Sequence, residues 1–281
     1  MCFSLDYKTQ KWKVIDGLQR MSSIIHFLST DDWKLVPLDD IQPELRGVTN
    51  NELRNGSETQ RRLFSLVEDV SIPITVIRCD YSISQHMRYL FTIFYRLNSG
   101  GVRLNNQEIR NCIYTGTFNN ELKIFDKQDA NWRLIKARIW GKTDRFRSVE
   151  ILLRTLAFGE WLDRYDGNLA GFLNNYMHHA TVHPPKDLSL FRADLAEVSR
   201  IGASALGATT RRKVPLALAE AALVAIFTNR GKLRRLSSEQ LQAAFSALEK
   251  DPVFAESARY AVSSLENVNA RMRRALSIFS A

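Results

Sequence analysis

A short apolar and aromatic run, Trp12-Lys13-Val14-Ile15, stops at Asp16-Gly17 and gives way to Ile24, Ile25, Phe27 and Leu28 at helical spacing. The chain must therefore pass from strand to helix through a glycine, which predicts a strand over 11–16 and a helix over 18–29. The first turn of a helix leaves backbone N–H groups without acceptors and carries the positive end of the helix dipole. It suits an anion, phosphate above all. Gln19 and Arg20 add an amide and a planar guanidinium fork to that turn. Asp16 accepts hydrogen bonds only, so it can hold a ribose hydroxyl, a water or a metal-bound water, or fix Arg20. The same five residues also read as a tight turn and a helix cap with no ligand.

A second segment, Arg96-Leu97-Asn98-Ser99-Gly100-Gly101-Val102-Arg103-Leu104-Asn105-Asn106-Gln107-Glu108-Ile109-Arg110, reads as helix, Gly-Gly turn, helix. Upstream of it, Met87, Leu90, Phe91, Phe94 and Leu97 form one apolar stripe of a helix over 84–97. Asn105 followed three residues later by Glu108 makes a capping box, a purely structural reading of both residues. The same geometry also offers a glycine-rich turn with free N–H groups.

Strands are further expected over 33–38 and 72–77, a short helix over 61–68, and a polar excursion over 39–57. After Tyr114 the texture becomes helical only, with helices expected over 118–127, 146–165, 169–178, 214–228, 238–248 and 255–278. Connectors are expected at 183–185 and 202–210. The expectation is an α+β chain, with a small α/β module over 1–112 followed by a mainly α-helical domain over 113–281.

The two segments together resemble the N-terminal domain of GmrSD-type restriction enzymes, a family of the ParB/sulfiredoxin-like superfamily. Its first motif is Asp-Gly-Gln-Gln-Arg, and Leu18 here stands where the family has its first Gln. The second motif is intact. The likeness continues through Arg110-Asn111-Cys112-Ile113-Tyr114-Thr115-Gly116 and Asp144-Arg145-Phe146-Arg147-Ser148-Val149-Glu150-Ile151-Leu152-Leu153-Arg154. Family members carry a Gln-Arg-x-Tyr-x-Trp segment and strands upstream of the first motif, so this ParB/sulfiredoxin-like module is expected to be truncated at its start.

The resemblance implies nucleotide handling in restriction or anti-phage defence. Carried over residue by residue, it gives Asp16, Gln19 and Arg20 as catalytic. It gives Gly17, Arg96, Asn98, Ser99, Gly100, Gly101, Arg103 and Glu108 as nucleotide-binding. The implied ligand is an NTP, with Mg2+ reached by Asp16 through water. Phosphoryl transfer depends mostly on positioning and charge neutralisation, which such residues can supply. Losing the Gln amide at Leu18 would cost ~1–3 kcal/mol if that group met phosphate or water, and nothing if Leu18 faces the core. The alternative is a non-catalytic ParB-like DNA- or protein-binding module with a degenerate nucleotide site.

The formal net charge of +9 fits a polyanionic partner. The excess gathers in Arg211-Arg212-Lys213, in Arg230, Lys232, Arg234 and Arg235, and in Arg271, Arg273 and Arg274. Arg211, Arg212, Lys213, Arg234 and Arg235 are the candidate DNA-binding cations. No aromatic residues interleave with them, so backbone phosphate rather than stacked bases is the expected contact. Cys2, Cys79 and Cys112 have no paired spacing, which argues for a reducing cytosol and against a disulfide framework or zinc site. No apolar run is long enough to span a bilayer. His178-His179-x-x-x-His183 lacks the Glu of a zinc helix and precedes Pro184-Pro185, so it reads as a solvated helix end with no metal. No His-centred nuclease motif is present, so a nuclease encoded elsewhere is the expected cutting partner.

Overall fold

The computed structural model describes residues 1–97, 103–140, 144–207 and 213–280. The chain is α+β and forms two compact units, Met1–Tyr81 and Ser82–Ala281. This division falls earlier than the end of the α/β module drawn from sequence at residue 112.

The first unit contains β1 (Cys2–Asp6), β2 (Trp12–Asp16), α1 (Leu18–Ser29), α2 (Asn50–Asn55), α3 (Glu58–Glu68) and β3 (Thr75–Cys79). The sheet order is β2-β1-β3, with β1 antiparallel to β2 and parallel to β3. The parallel pairing needs a long crossover, and α1, α2 and α3 lie within it. Phe27, Leu53 and Phe64 centre the helical core, with Trp33, Leu35, Leu45 and Val67 packed around them. Buried Asn50 fastens α2 to the end of α1 by donating to the carbonyls of Phe27, at 2.7 Å, and Thr30.

β1 was not anticipated, because its inward positions are Cys2, Ser4 and Asp6, so the usual apolar-in alternation is inverted. The strand expected over 33–38 is one isolated bridge, Lys34 to Thr49. The polar excursion contains α2, started by a capping box of Thr49 and Glu52.

The second unit contains α4 (Ser84–Leu97), α5 (Asn106–Ile113), α6 (Thr117–Gln128), α7 (Ala130–Ile139), α8 (Arg147–Trp161), α9 (Leu169–Val182), α10 (Leu188–Leu206), α11 (Leu216–Leu233), α12 (Ser238–Lys250), α13 (Pro252–Ser257) and α14 (Leu265–Ile278). α11 is the hub. Every residue from Leu218 to Phe227 is buried and, Glu220 apart, apolar, as suits a core helix. It packs against α8, α10 and α14. Its alanines let neighbours approach, and Gly159 of α8 lies so close that a Cβ there would fall 2.3 Å from the Phe227 ring.

α7 and α10 were not anticipated. Gly202, read as part of a connector, sits buried within α10, where a Cβ would lie 3.0 Å from Leu223 and 3.1 Å from Ile135. Glycine there serves close packing instead of chain reversal. The helix expected over 255–278 is two helices, because Ser264 caps a fresh start at α14. Among the described residues, no helix is long and apolar enough to cross a membrane.

Candidate functional site

β2 ends at Asp16, and Gly17 turns the chain at φ 97°, a left-handed conformation that glycine adopts without strain. A side chain at Gly17 would also strike Met1, whose Cγ would lie 2.7 Å from the added Cβ. α1 starts immediately, with no side-chain cap and no acidic residue in its first turn. Its first intrahelical bond runs from the Met21 N–H to the Gly17 carbonyl at 2.9 Å. The positive end of this helix is thus left uncapped by a side chain, with the Asp16 carboxylate immediately before the turn.

Arg20 donates through Nη2 to Asp16 Oδ2 at 2.5 Å, and the two side chains are 61% and 42% exposed. Gln19 and Arg20 line an open groove of about 620 Å³ with Met1, Ser23, Ile24, Ile72 and Pro73. Leu18 is 59% exposed and does not face the core. The structure therefore brings Asp16, Gly17, Gln19 and Arg20 together at one helix start beside a cavity, with an apolar side chain in solvent at the departed motif position.

The second motif is put to architectural use where it is described. Asn105 caps α5, accepting from the N–H groups of Gln107 and Glu108, each at 2.9 Å. Glu108 closes the box on the Asn105 N–H at 2.7 Å and also takes a two-pronged contact from Arg145, at 3.0 and 2.7 Å. Arg145 and Phe146 both have positive φ, 49° and 64°, and carry the chain into α8. Two non-glycine residues in that region cost ~1–3 kcal/mol each. The Glu108 pair, the Asn105 amide on the Arg145 carbonyl (2.8 Å) and the Arg145 guanidinium on the Arg103 carbonyl (2.9 Å) hold them there. Further along the likeness, Arg110, Glu150 and Arg154 form a largely buried chain of charges. Burial alone would raise the Glu150 carboxyl, but the Arg154 and Arg110 guanidiniums outweigh it and hold it below its ordinary range.

Arg96 is exposed on the last turn of α4, and the Arg103 side chain is exposed. Asn98, Ser99, Gly100 and Gly101 lie outside the described residues, as do Arg211 and Arg212. Lys213, Arg234 and Arg235 are exposed. Other members of the basic clusters are engaged internally: Arg230 with Asp194 at 2.9 Å, Arg274 with Asp251 at 2.6 Å, and Arg271 with Glu220 at 3.3 Å. At the end of α9, the His179 ring lies against Trp161 and His183, and His178 meets Tyr114 edge-on.

A polar cluster on the sheet escaped the sequence reading. Ser4 Oγ and Tyr81 OH are 2.7 Å apart, and the Lys13 ammonium lies 4.3 Å from the Tyr81 ring centre. Burial pushes Lys13 down to about 8 and Tyr81 up to about 12. Only the inverted alternation of β1 could have hinted at it. Because Lys13 binds its proton less tightly when folded, the unfolded chain holds more protons between pH 8 and 10.5. Lys13→Met is therefore expected to raise the melting temperature at pH 7 by a few degrees. That advantage should shrink as pH rises from 8 toward 10.5, because the folded wild type has shed the proton there while its unfolded chain still holds it. An advantage independent of pH across that window in thermal melts would show that the ammonium is not desolvated.

Residues 2–115 match the family model described as GmrSD restriction endonuclease, N-terminal domain. The resemblance read from the two motifs is borne out over that segment, which takes in the first unit from Cys2 onward and runs on through α4 and α5. No curated protein and no solved structure matches the chain.

Proposed function

We propose that the GmrSD-type segment, residues 2–115, is the nucleotide-binding part of a DNA restriction or defence system, with NTP phosphates seated at the turn from Gly17 to Arg20. The observation that carries this reading is the open groove lined by Gln19 and Arg20 at an uncapped helix start. The Asp16–Arg20 pair does not block it. An exposed ion pair contributes ~0–1 kcal/mol, whereas a hydrogen bond to a charged group contributes ~1.5–3 kcal/mol. Arg20 therefore exchanges Asp16 for a phosphate at a net gain. Asp16, once released, can hold a water of Mg2+, and Gln19 can orient an attacking water.

Leu18 decides how far the chemistry goes. Being exposed on the first turn, it supplies no donor where the family has an amide. Leu18→Gln is expected to strengthen ATP or GTP binding, or to speed phosphate release, by about tenfold or more. Arg20→Ala is expected to weaken NTP binding by at least about tenfold. Both are read by titrating the full chain with ATP and GTP in Mg2+ and by assaying released phosphate. NTP affinity that is unchanged in Arg20→Ala rejects the site.

A second reading, a DNA-binding module with a degenerate nucleotide site, is favoured by the exposed cations Lys213, Arg234 and Arg235 together with Leu18. Duplex DNA binding that falls steeply with salt and ignores added NTP would support it over the first.

A further inference from the structure

A half-open cavity of about 320 Å³ lies among α8, α11 and α14, lined by Arg154, Tyr165, Glu220 and Arg271 and by apolar residues such as Leu216 and Val268. This is the size of a small-molecule site, and its mixture of apolar wall and few polar groups is the usual composition of one.

The charges do not balance. Arg110, Glu150, Arg154, Glu220 and Arg271 alternate in sign along one chain whose two middle members, Glu150 and Arg154, are part-buried and whose others are buried, leaving three guanidiniums against two carboxylates. The excess is one positive charge, and arginine does not shed it by deprotonation. The terminal member, Arg271, faces the cavity and is only 3% exposed. Its Nη1 donates to the Val262 carbonyl and its Nη2 to Glu220 Oε2 at 3.3 Å, a long contact for charged partners. Its Nε has no acceptor among the described residues. A buried guanidinium with an unused donor and a net charge to offset is expensive to leave without an acceptor. Tyr165 OH, which donates to the Ser263 carbonyl at 2.5 Å, does not accept from Nε.

We propose that this cavity binds a small organic anion, a carboxylate or phosphomonoester on an apolar body. Its oxyanion accepts from Arg271, completing the alternation of charge. Its apolar part lies against Leu216 and Val268. Repulsion from Glu220 is offset by the guanidiniums on both of its oxygens, Arg154 at 3.0 Å and Arg271. The site lies wholly in the second unit, beyond the family match, and is independent of the turn at Gly17.

Titration calorimetry of the full chain with butyl phosphate, butyrate and inorganic phosphate tests this. Butyl phosphate or butyrate is expected to bind at one site, more tightly than inorganic phosphate; which of the two prevails identifies the oxyanion. Arg271→Lys keeps the charge but loses the planar guanidinium fork, and is expected to weaken binding by about tenfold or more. Ala217→Phe fills the cavity from its wall without touching a charge, and is expected to abolish binding while leaving the melting temperature of the unliganded protein nearly unchanged. It also separates this cavity from the Gly17 turn, where a phosphate compound could bind without regard to residue 217. The proposal is overturned if neither butyl compound binds, if inorganic phosphate binds as tightly as either, or if Ala217→Phe binds like wild type.

Discussion

Glu220→Ala is expected to destabilise the helical unit by about 3–5 kcal/mol, the cost of leaving buried charges without their partner. Glu220 is 2% exposed and sits on α11, the helix buried on all sides. It separates two guanidiniums, receiving Arg154 on one oxygen and Arg271 on the other. Without it, Arg154 keeps Glu150, but Arg271 keeps only a backbone carbonyl. Neither cation can become neutral, and both meet solvent only through the cavity they line, with side chains 16% and 4% exposed. An exposed pair provides the contrast. Arg273 and Asp163 are 3.1 Å apart with side chains 67% and 86% exposed, and Arg273→Ala should cost less than ~1 kcal/mol. Denaturant unfolding of the two variants measures the difference. If Glu220→Ala cost no more than Arg273→Ala, the charge chain would be shown to communicate freely with solvent.

The charge chain also explains what the sequence could and could not reveal about the site. The first motif was legible because it is local. A strand, a glycine and an amphipathic helix are neighbours in sequence, and the turn forms at Gly17 as its φ requires. The capping box at Asn105 and Glu108 was legible for the same reason, and so was α4, whose Met87, Leu90, Phe91 and Phe94 are buried as their spacing demands. Leu97, the last member of that stripe, is exposed instead.

What the motif residues contact could not be read from spacing. Glu108 reaches Arg145, Arg110 reaches Glu150, and Arg154 reaches Glu220, each across a long stretch of chain. A conspicuous run of polar residues can therefore be a nucleotide cradle or the internal frame of a helical domain, and only distance in space distinguishes them. β1 was hidden for a different reason. Ser4 and Asp6 face inward, so the pleat carries polarity where a strand ordinarily carries apolar bulk. α10 was hidden by Gly202, whose missing side chain admits Leu223 and Ile135. In both cases the residue type was chosen by a tertiary neighbour and not by local conformation.

Trp132 is where such a neighbour should matter most in the core. It lies on α7, one of the helices the sequence concealed, and is 1% exposed. α7 carries charged residues at Arg133, Lys136 and Arg138, so its burial, against α10 among others, rests on the apolar side chains Trp132, Ile135 and Ile139. The indole N–H donates to Asp126 Oδ1 at 2.8 Å, while Lys136 meets the other carboxylate oxygen at 3.2 Å. Trp132→Ala removes the largest fully buried side chain of the unit and is expected to cost about 3–5 kcal/mol. Trp132→Phe keeps most of the volume and forfeits one hydrogen bond to a charged acceptor, with an expected cost nearer ~1.5–3 kcal/mol. Lys136 limits that loss, because Asp126 retains a cationic partner. Comparing the two variants by denaturant unfolding apportions the site between packing and polarity. Packing dominates if Ala costs clearly more than Phe. Equal costs would mean that α7 is held by the Asp126 contact, and that its apolar face is not what docks it on α10.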